Sequence, residues 1–233
     1  MSSAVPPAPD ARGLSPRRAL LVGATGLVGR ELLRQLSVDA LYAQVHVLAR
    51  RPLTEPPLVR KVMVEVGPLA GAHSVPAADD VFIALGTTIR VAGSQDAFRR
   101  VDLDLVVHLA RLARAAGATR LAVVSALGAD AESRVFYNRV KGEMEAAVGA
   151  LGFERLVVAR PSLLSGDRAS LAQQARPGER AALVLLAPLG RWLPSAWRPV
   201  RARAVARGLI ESLRQPGAGT TVLESKALGA FDR

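Results

Sequence analysis

The sequence contains no cysteine, which excludes a disulfide framework, a thiolate metal site and a catalytic thiol. Any redox chemistry therefore needs a borrowed cofactor. Histidine is scarce as well: His46, His73 and His108 are scattered, with no carboxylate at ligand spacing, so no metal site is expected. No apolar run is long enough to span a bilayer, because the longest one outside the strand patterns, Ala181 to Leu193, is interrupted by Pro188, Gly190 and Arg191. The first sixteen residues are rich in Pro, Ala and Ser and lack the basic start and apolar core of a signal peptide. A cytoplasmic protein with a disordered tail over residues 1–17 is the expectation.

Lysine is nearly absent, at 61, 141 and 226 only, so the net charge of +11 is almost wholly arginine. Such an excess can mark a nucleic-acid or anionic-membrane partner, through counterion release at phosphates. Here the arginines are spread along a chain also rich in Ala, Gly and Pro, which reads as a compositional bias. The one local excess is Arg176 to Arg214, where eight arginines face Glu179 and Glu211, with Trp192 and Trp197 nearby. A weak membrane-surface contact is open there, and no specific nucleic-acid role is expected.

What is present suits one α/β domain. A chain of 233 residues, half of them hydrophobic, can bury a single sizeable core. Short apolar runs at Ala19–Gly23, Gln44–Ala49, Lys61–Val66, Asp80–Leu85, Leu121–Ser125, Glu154–Ala159 and Thr221–Leu223 read as strands. Helical spacing is seen over Leu27–Leu36, Gln95–Ala116, Val135–Leu151 and Val200–Leu213. In the second of these, Phe98, Val101, Leu105, Leu109, Leu112 and Ala116 fall on one face. Strands alternating with helices predict a Rossmann-type doubly wound parallel sheet, with ligands at the carboxyl ends of the strands. Residues 18–233 form this domain on that reading, and 161–215 supply a substrate cap and the C-terminal helices.

Two constellations carry chemistry. The first is Gly23-Ala24-Thr25-Gly26-Leu27-Val28-Gly29, placed directly after the first strand and opening the first helix. Glycines there permit the tight turn and bring backbone N–H groups and the helix dipole to a pyrophosphate. At the end of the second strand stand Arg50 and Arg51, where an acid would select NAD. A guanidinium pairs instead with a 2′-phosphate, so NADPH is the expected cofactor. The second constellation is Ser125 at a strand end, followed twelve residues later by Tyr137, with Lys141 one helical turn beyond it. A cation within a few ångströms lowers a phenol's pKa, which would bring Tyr137 toward proton transfer near neutral pH. Asp79 and Asp80 read as the start of a strand, and Asn138 as pointing to another face of the helix.

These motifs resemble the atypical short-chain dehydrogenase/reductases, in particular the group of the Tat-interacting protein oxidoreductases. The similarity runs from Leu20 to Leu228. It takes in Leu85-Gly86-Thr87-Thr88, Val101-Asp102, Ser125 to Asp130, Lys141-Gly142-Glu143, Arg160-Pro161, Asp167-Arg168 and Arg176-Pro177-Gly178-Glu179. The resemblance implies that Thr25, Gly26, Leu27 and Val28 cradle the phosphates, the Arg pair holds the 2′-phosphate and Leu85-Gly86 lies against the adenosine half, with Thr87 beside it. It implies further that Tyr137 and Lys141 are catalytic and touch the nicotinamide ribose, and that Leu164 and Arg176 border the nicotinamide end. The family glycine after Arg-Pro is Ser162 here. The expected activity is NADPH-dependent reduction of a carbonyl or similar hydride acceptor by a monomer or homodimer. The small substrate is expected to be apolar, in a cleft lined from Leu127 to Val135 and by Leu163, Leu186, Trp192 and Trp197. Two other readings stand beside it, an NADPH-dependent regulatory protein with little turnover and a basic nucleic-acid or membrane-surface binder.

Overall fold

A computed structural model of the chain describes residues 16–53, 59–165 and 199–232. Seven strands form one parallel sheet: β1 (Arg17–Val22), β2 (Tyr42–Ala49), β3 (Val62–Val66), β4 (Asp80–Ile83), β5 (Arg120–Val124), β6 (Arg155–Arg160) and, after a short pair described below, β9 (Gly219–Glu224). Their spatial order is β3-β2-β1-β4-β5-β6-β9, so the direction of winding reverses between β1 and β4. That reversal opens a crevice at the carboxyl ends of those two strands. The short pair, β7 (Leu164–Ser165) and β8 (Val200–Arg201), makes a second small parallel sheet.

Helices cover both faces, as right-handed crossovers require. On one face lie α1 (Leu27–Val38) and α6 (Ala202–Arg214), whose Val28, Leu32, Leu36, Val205 and Leu209 join Leu21, Val45, Val47 and Phe82 in one core layer. On the other lie α3 (Gln95–Arg99), α4 (Val106–Ala115) and α5 (Phe136–Gly149), with Phe98, Val106, Leu109, Val140 and Met144 packed on Leu20, Val22, Val81, Ile83 and Leu121. Two short helices, α2 (Ile89–Ala92) and α7 (Ser225–Gly229), and 3₁₀ turns at Leu69–Gly71 and Ala230–Asp232 lie beside these. The strands and longer helices match the sequence reading, with ends shifted by a few residues.

The long helix departs from its predicted face. Between α3 and α4, Arg100–Leu105 form a turn of π-helix, which inserts an extra residue into the helical repeat. Up to Phe98 the simple spacing holds. Beyond it the buried positions become Asp102, Leu103, Val106, Leu109, Ala110 and Ala113, while Val101, Leu105 and Leu112 are only half-buried. Asp102, a carboxylate, lies within this π-turn and is fully buried.

The prediction of a cap falls largely outside the described residues: Leu186, Trp192 and Trp197 lie there, as does Arg176. Within the described part of the basic segment, Arg201 and Arg203 pair with Asp232 at 3.3 and 3.0 Å, and Arg214 is ion-paired with Asp39. These arginines are occupied by acids of the same chain. Among the described residues no helix is long and apolar enough to cross a membrane, and no group of acids and histidines is placed to hold a metal.

Candidate functional site

The glycine turn leaves β1 and enters α1 at the switch point. Gly23 has φ of 95°, the left-handed region that glycine adopts without strain, and its carbonyl accepts the Gly26 N–H at 3.0 Å. A Cβ on Gly29 would lie 1.9 Å from the Gly23 carbonyl oxygen, so only glycine lets the first turn of the helix close onto the loop. Gly26 is the N-cap, and no side chain caps α1. The first N–H groups of α1 therefore have no side-chain acceptor, and with no acid in that turn the positive end of the helix is left for an anion. Thr25 is exposed, Leu27 is half-buried, and Val28 points into the core. Leu85, Gly86 and Thr87 follow β4 beside this turn, and a Cβ on Gly23 would meet the Ala84 carbonyl at 2.5 Å. Arg50 and Arg51, just past β2, are exposed and pair with no carboxylate among the described residues.

Ser125 ends β5, its backbone N–H bonded to the Ala159 carbonyl at 2.8 Å. Its Oγ is buried and has no hydrogen-bond partner among the described residues. Buried hydroxyls are normally satisfied, which makes this one an exception. Tyr137, in the first turn of α5, packs its ring on Phe98 at 5.4 Å between centroids. Its hydroxyl also makes no hydrogen bond among the described residues. Lys141, one turn on, is 3% exposed and lies 2.6 Å from Asp102 Oδ1, while Asp102 Oδ2 accepts the Thr87 N–H at 2.9 Å.

One expectation is corrected by this geometry. Lys141 does pull the Tyr137 pKa down, but burial pushes it up more strongly and the Asp102 carboxylate adds to the rise, so the phenol ends above its ordinary value. Tyr137 keeps its proton through the neutral range. Asn138 plays a packing part, its carbonyl accepting the Asp130 N–H at 3.1 Å with its amide against Gly128. Leu164 is half-buried in β7. The sequence reading gave Asp102 no chemical role.

Residues 23–170 match a family model described as NAD(P)H-binding. The chain belongs to that NAD(P)H-binding family. Protein HTATIP2 of Rattus norvegicus is 37% identical over 226 residues, 91% of this chain and 88% of the relative. Protein FMP52, mitochondrial, of Eremothecium gossypii is 38% identical over 151 residues, 64% of this chain and 67% of the relative. A short-chain dehydrogenase/reductase superfamily protein from Agrobacterium tumefaciens with bound NAD shares the fold, at a TM-score of 0.64 and 17% identity, covering 89% of this chain and 77% of that one. The NAD(P)H-binding family and the short-chain dehydrogenase/reductase fold thus agree with the resemblance carried by the motifs.

A cavity of about 570 Å³ at the opposite, amino end of the sheet is lined by Arg17, Arg120, Arg155, Arg214 and Glu154. Its guanidinium groups are bound to acids or carbonyls: Arg17 and Arg120 to Asp80, Arg155 to the Ser212 and Gly217 carbonyls, Arg214 to Asp39. The Arg214 Nε there is nevertheless buried without a hydrogen-bond partner among the described residues, as is the Ser125 Oγ at the carboxyl end.

Proposed function

We propose that this protein is an NADPH-dependent reductase of small, apolar carbonyl compounds, with Tyr137 as proton donor. The observation that carries the reading is a buried Ser125 Oγ and a Tyr137 hydroxyl that both lack hydrogen-bond partners among the described residues, the buried ammonium of Lys141 standing one turn beyond Tyr137 on α5. When bound, the dinucleotide supplies the hydride. The turn at Gly23–Gly29 and the start of α1 would hold its pyrophosphate, and Arg50 and Arg51 its 2′-phosphate. Leu85, Gly86 and Thr87 would border its adenosine half, and Leu164 and Arg176 the nicotinamide end. Ser125 would donate its hydrogen bond to the substrate oxygen, where negative charge develops. Tyr137 holds its proton at neutral pH and would release it to that oxygen, the ammonium of Lys141 stabilising the phenolate left behind. Val91, Val135 and Leu163, exposed just beyond β4, β5 and β6, favour an apolar substrate.

The test is oxidation of NADPH against aldehydes, ketones and quinones, with Tyr137→Phe alongside. The variant keeps the ring on Phe98 and should still bind NADPH, while turnover falls by about 10² to 10⁴, the usual worth of a positioned general acid. Full activity in the Phe variant would overturn the mechanism. NADPH binding with no turnover across the whole panel would favour a regulatory role over a reductase.

A further inference from the structure

We propose that the cavity at the amino end of the sheet binds a small phosphorylated metabolite, its phosphate held by the guanidinium groups of Arg120, Arg155 and Arg214. The cavity lies at the far end of the strands from the dinucleotide turn, so this ligand is distinct from the cofactor.

The sheet itself brings the cations together. Asp80, Arg120 and Arg155 open β4, β5 and β6 and stand side by side in register, and Arg17 opens β1, the next strand over. One carboxylate therefore sits among three arginines. Asp80 accepts the Arg120 Nε at 2.6 Å and the Tyr42 hydroxyl at 2.7 Å, with Arg17 Nη1 at 3.4 Å. Arg155 has no share in it. Only 9% exposed, Arg155 donates Nε to the Ser212 carbonyl at 2.8 Å and Nη1 to the Gly217 carbonyl at 3.2 Å, and it pairs with no acid among the described residues. A buried arginine normally has a counter-charge, and like charges on neighbouring strands, as Arg120 and Arg155 are, repel one another. A bound anion would offset both.

Each guanidinium also keeps donors in reserve. Arg120 spends only its Nε, and Arg155 leaves Nη2, among the described residues. Arg214, at the end of α6, is ion-paired with Asp39 through Nη2 and has Glu211 3.8 Å from Nη1, while its Nε is buried with no acceptor. An unmade buried bond of that kind costs free energy. The side chains are thus pinned by one set of bonds and can offer another, the preorganisation that lowers the cost of binding.

Charge and shape name the ligand. The cavity's described lining holds four arginines and one acid, the exposed Glu154. Its donors come from two strands and a helix. A planar carboxylate takes one guanidinium edge-on, whereas the terminal oxygens of a phosphate accept from several directions. The volume, about 570 Å³, falls within the roughly 300 to 1,000 Å³ of small-molecule sites, so the phosphate can carry an organic remainder against the turn 215–218.

The experiment titrates inorganic phosphate into the full chain carrying Arg50→Ala/Arg51→Ala, which removes the exposed arginines of the dinucleotide crevice as competitors. The amide signals of Gly217 and Ala218 should shift saturably in NMR spectra. Shifts no larger than those from sodium chloride at equal ionic strength would overturn the inference, as would shifts confined to Thr25 and Gly26. Malonate, a dianion with planar carboxylates, should bind more weakly, and equal affinity would overturn the assignment of a phosphate. Arg155→Gln keeps an amide donor for the backbone carbonyls and should weaken phosphate binding about tenfold, the worth of one charge-assisted hydrogen bond. Ala218→Glu adds a negative charge to the lining at an exposed position, where folding is not at stake. It should weaken phosphate binding too, and unchanged affinity in that variant would overturn the inference whether or not Arg155→Gln folds.

Discussion

The two ends of the sheet each hold one of the chain's two tyrosines and a fully buried aspartate, yet they are built to opposite rules. At the amino end, Asp80 opens β4 and is saturated: it accepts the Tyr42 hydroxyl at 2.7 Å and the Arg120 Nε at 2.6 Å, and Arg17 lies at 3.4 Å. At the carboxyl end, Asp102 has an ion pair with Lys141 at Oδ1 and accepts the Thr87 N–H at Oδ2, but other groups there are unpaired. Among the described residues the Ser125 Oγ has no hydrogen-bond partner, the Tyr137 hydroxyl makes no bond, and the exposed Arg50 and Arg51 pair with no carboxylate. Both phenols have raised pKa values with burial as the largest cause, and in both a neighbouring aspartate adds to it. The difference lies in the hydroxyl, which is spent on Asp80 in Tyr42 and left available in Tyr137. Asp80 is saturated as a structural carboxylate should be, whereas a free hydroxyl such as that of Tyr137 is what a ligand could satisfy.

That contrast breaks if a change at the amino end impairs cofactor binding. Asp80→Ala leaves two guanidinium groups and a phenol without their acceptor, and removing one partner of a buried ionic cluster typically lowers stability by about 3 to 5 kcal/mol. Denaturant unfolding should show this loss, and NADPH affinity measured below the transition should match the wild type. An affinity change as large as the stability change would show that the two ends are coupled.

The carboxyl end should show the converse. Arg50→Ala/Arg51→Ala removes charge from exposed positions, so unfolding should hardly change. NADPH should bind roughly tenfold more weakly for each arginine lost, at about 1.5 kcal/mol or more per charge-assisted bond. NADH affinity should stay within a factor of a few. Equal loss for both dinucleotides, read by fluorescence titration, would remove the assignment of the 2′-phosphate to these residues.

The smallest effect separates the two phenols. Tyr42→Phe deletes the bond to Asp80 while both arginines remain, so a loss of roughly 1.5 kcal/mol is expected, the low end for a hydrogen bond to a charged group. Its pH dependence has a definite sign. A phenol whose pKa is raised on folding adds stability that is fully present below its unfolded value, about 10, and is lost as pH rises through the folded value. Tyr42 should therefore contribute to alkaline unfolding, and Tyr42→Phe should show a shallower fall in stability above pH ~10. An unchanged alkaline slope would mean that Tyr42 is not held protonated by its site.

Much of this was legible in the sequence because it is local. Period-two and helical spacing placed the strands and longer helices, and the glycine turn announced itself by following a strand and opening a helix. The placement of Tyr137 and Lys141 on one helical face needed only a count of residues. The face of the long helix was only partly right beyond Phe98: Leu109 is buried as expected, but Val101, Leu105 and Leu112 are half-buried while Asp102, Leu103 and Val106 are inside, and nothing in the residue types signals the π-turn between them.

What the sequence determined by itself is the alternation of strand and helix, the dinucleotide turn and the identity of the polar residues that gather at the crevice. All of these depend on neighbours a few positions apart. Only the tertiary structure decided how those residues act on one another. It set Asp102 between Lys141 and Thr87, left the buried Ser125 Oγ without a hydrogen-bond partner among the described residues, and let burial outweigh the ammonium in fixing the Tyr137 proton. Burial and long-range pairing depend on elements that meet only when the sheet closes, as Arg17 meets Asp80 across 63 positions of chain, and no local pattern encodes such a meeting.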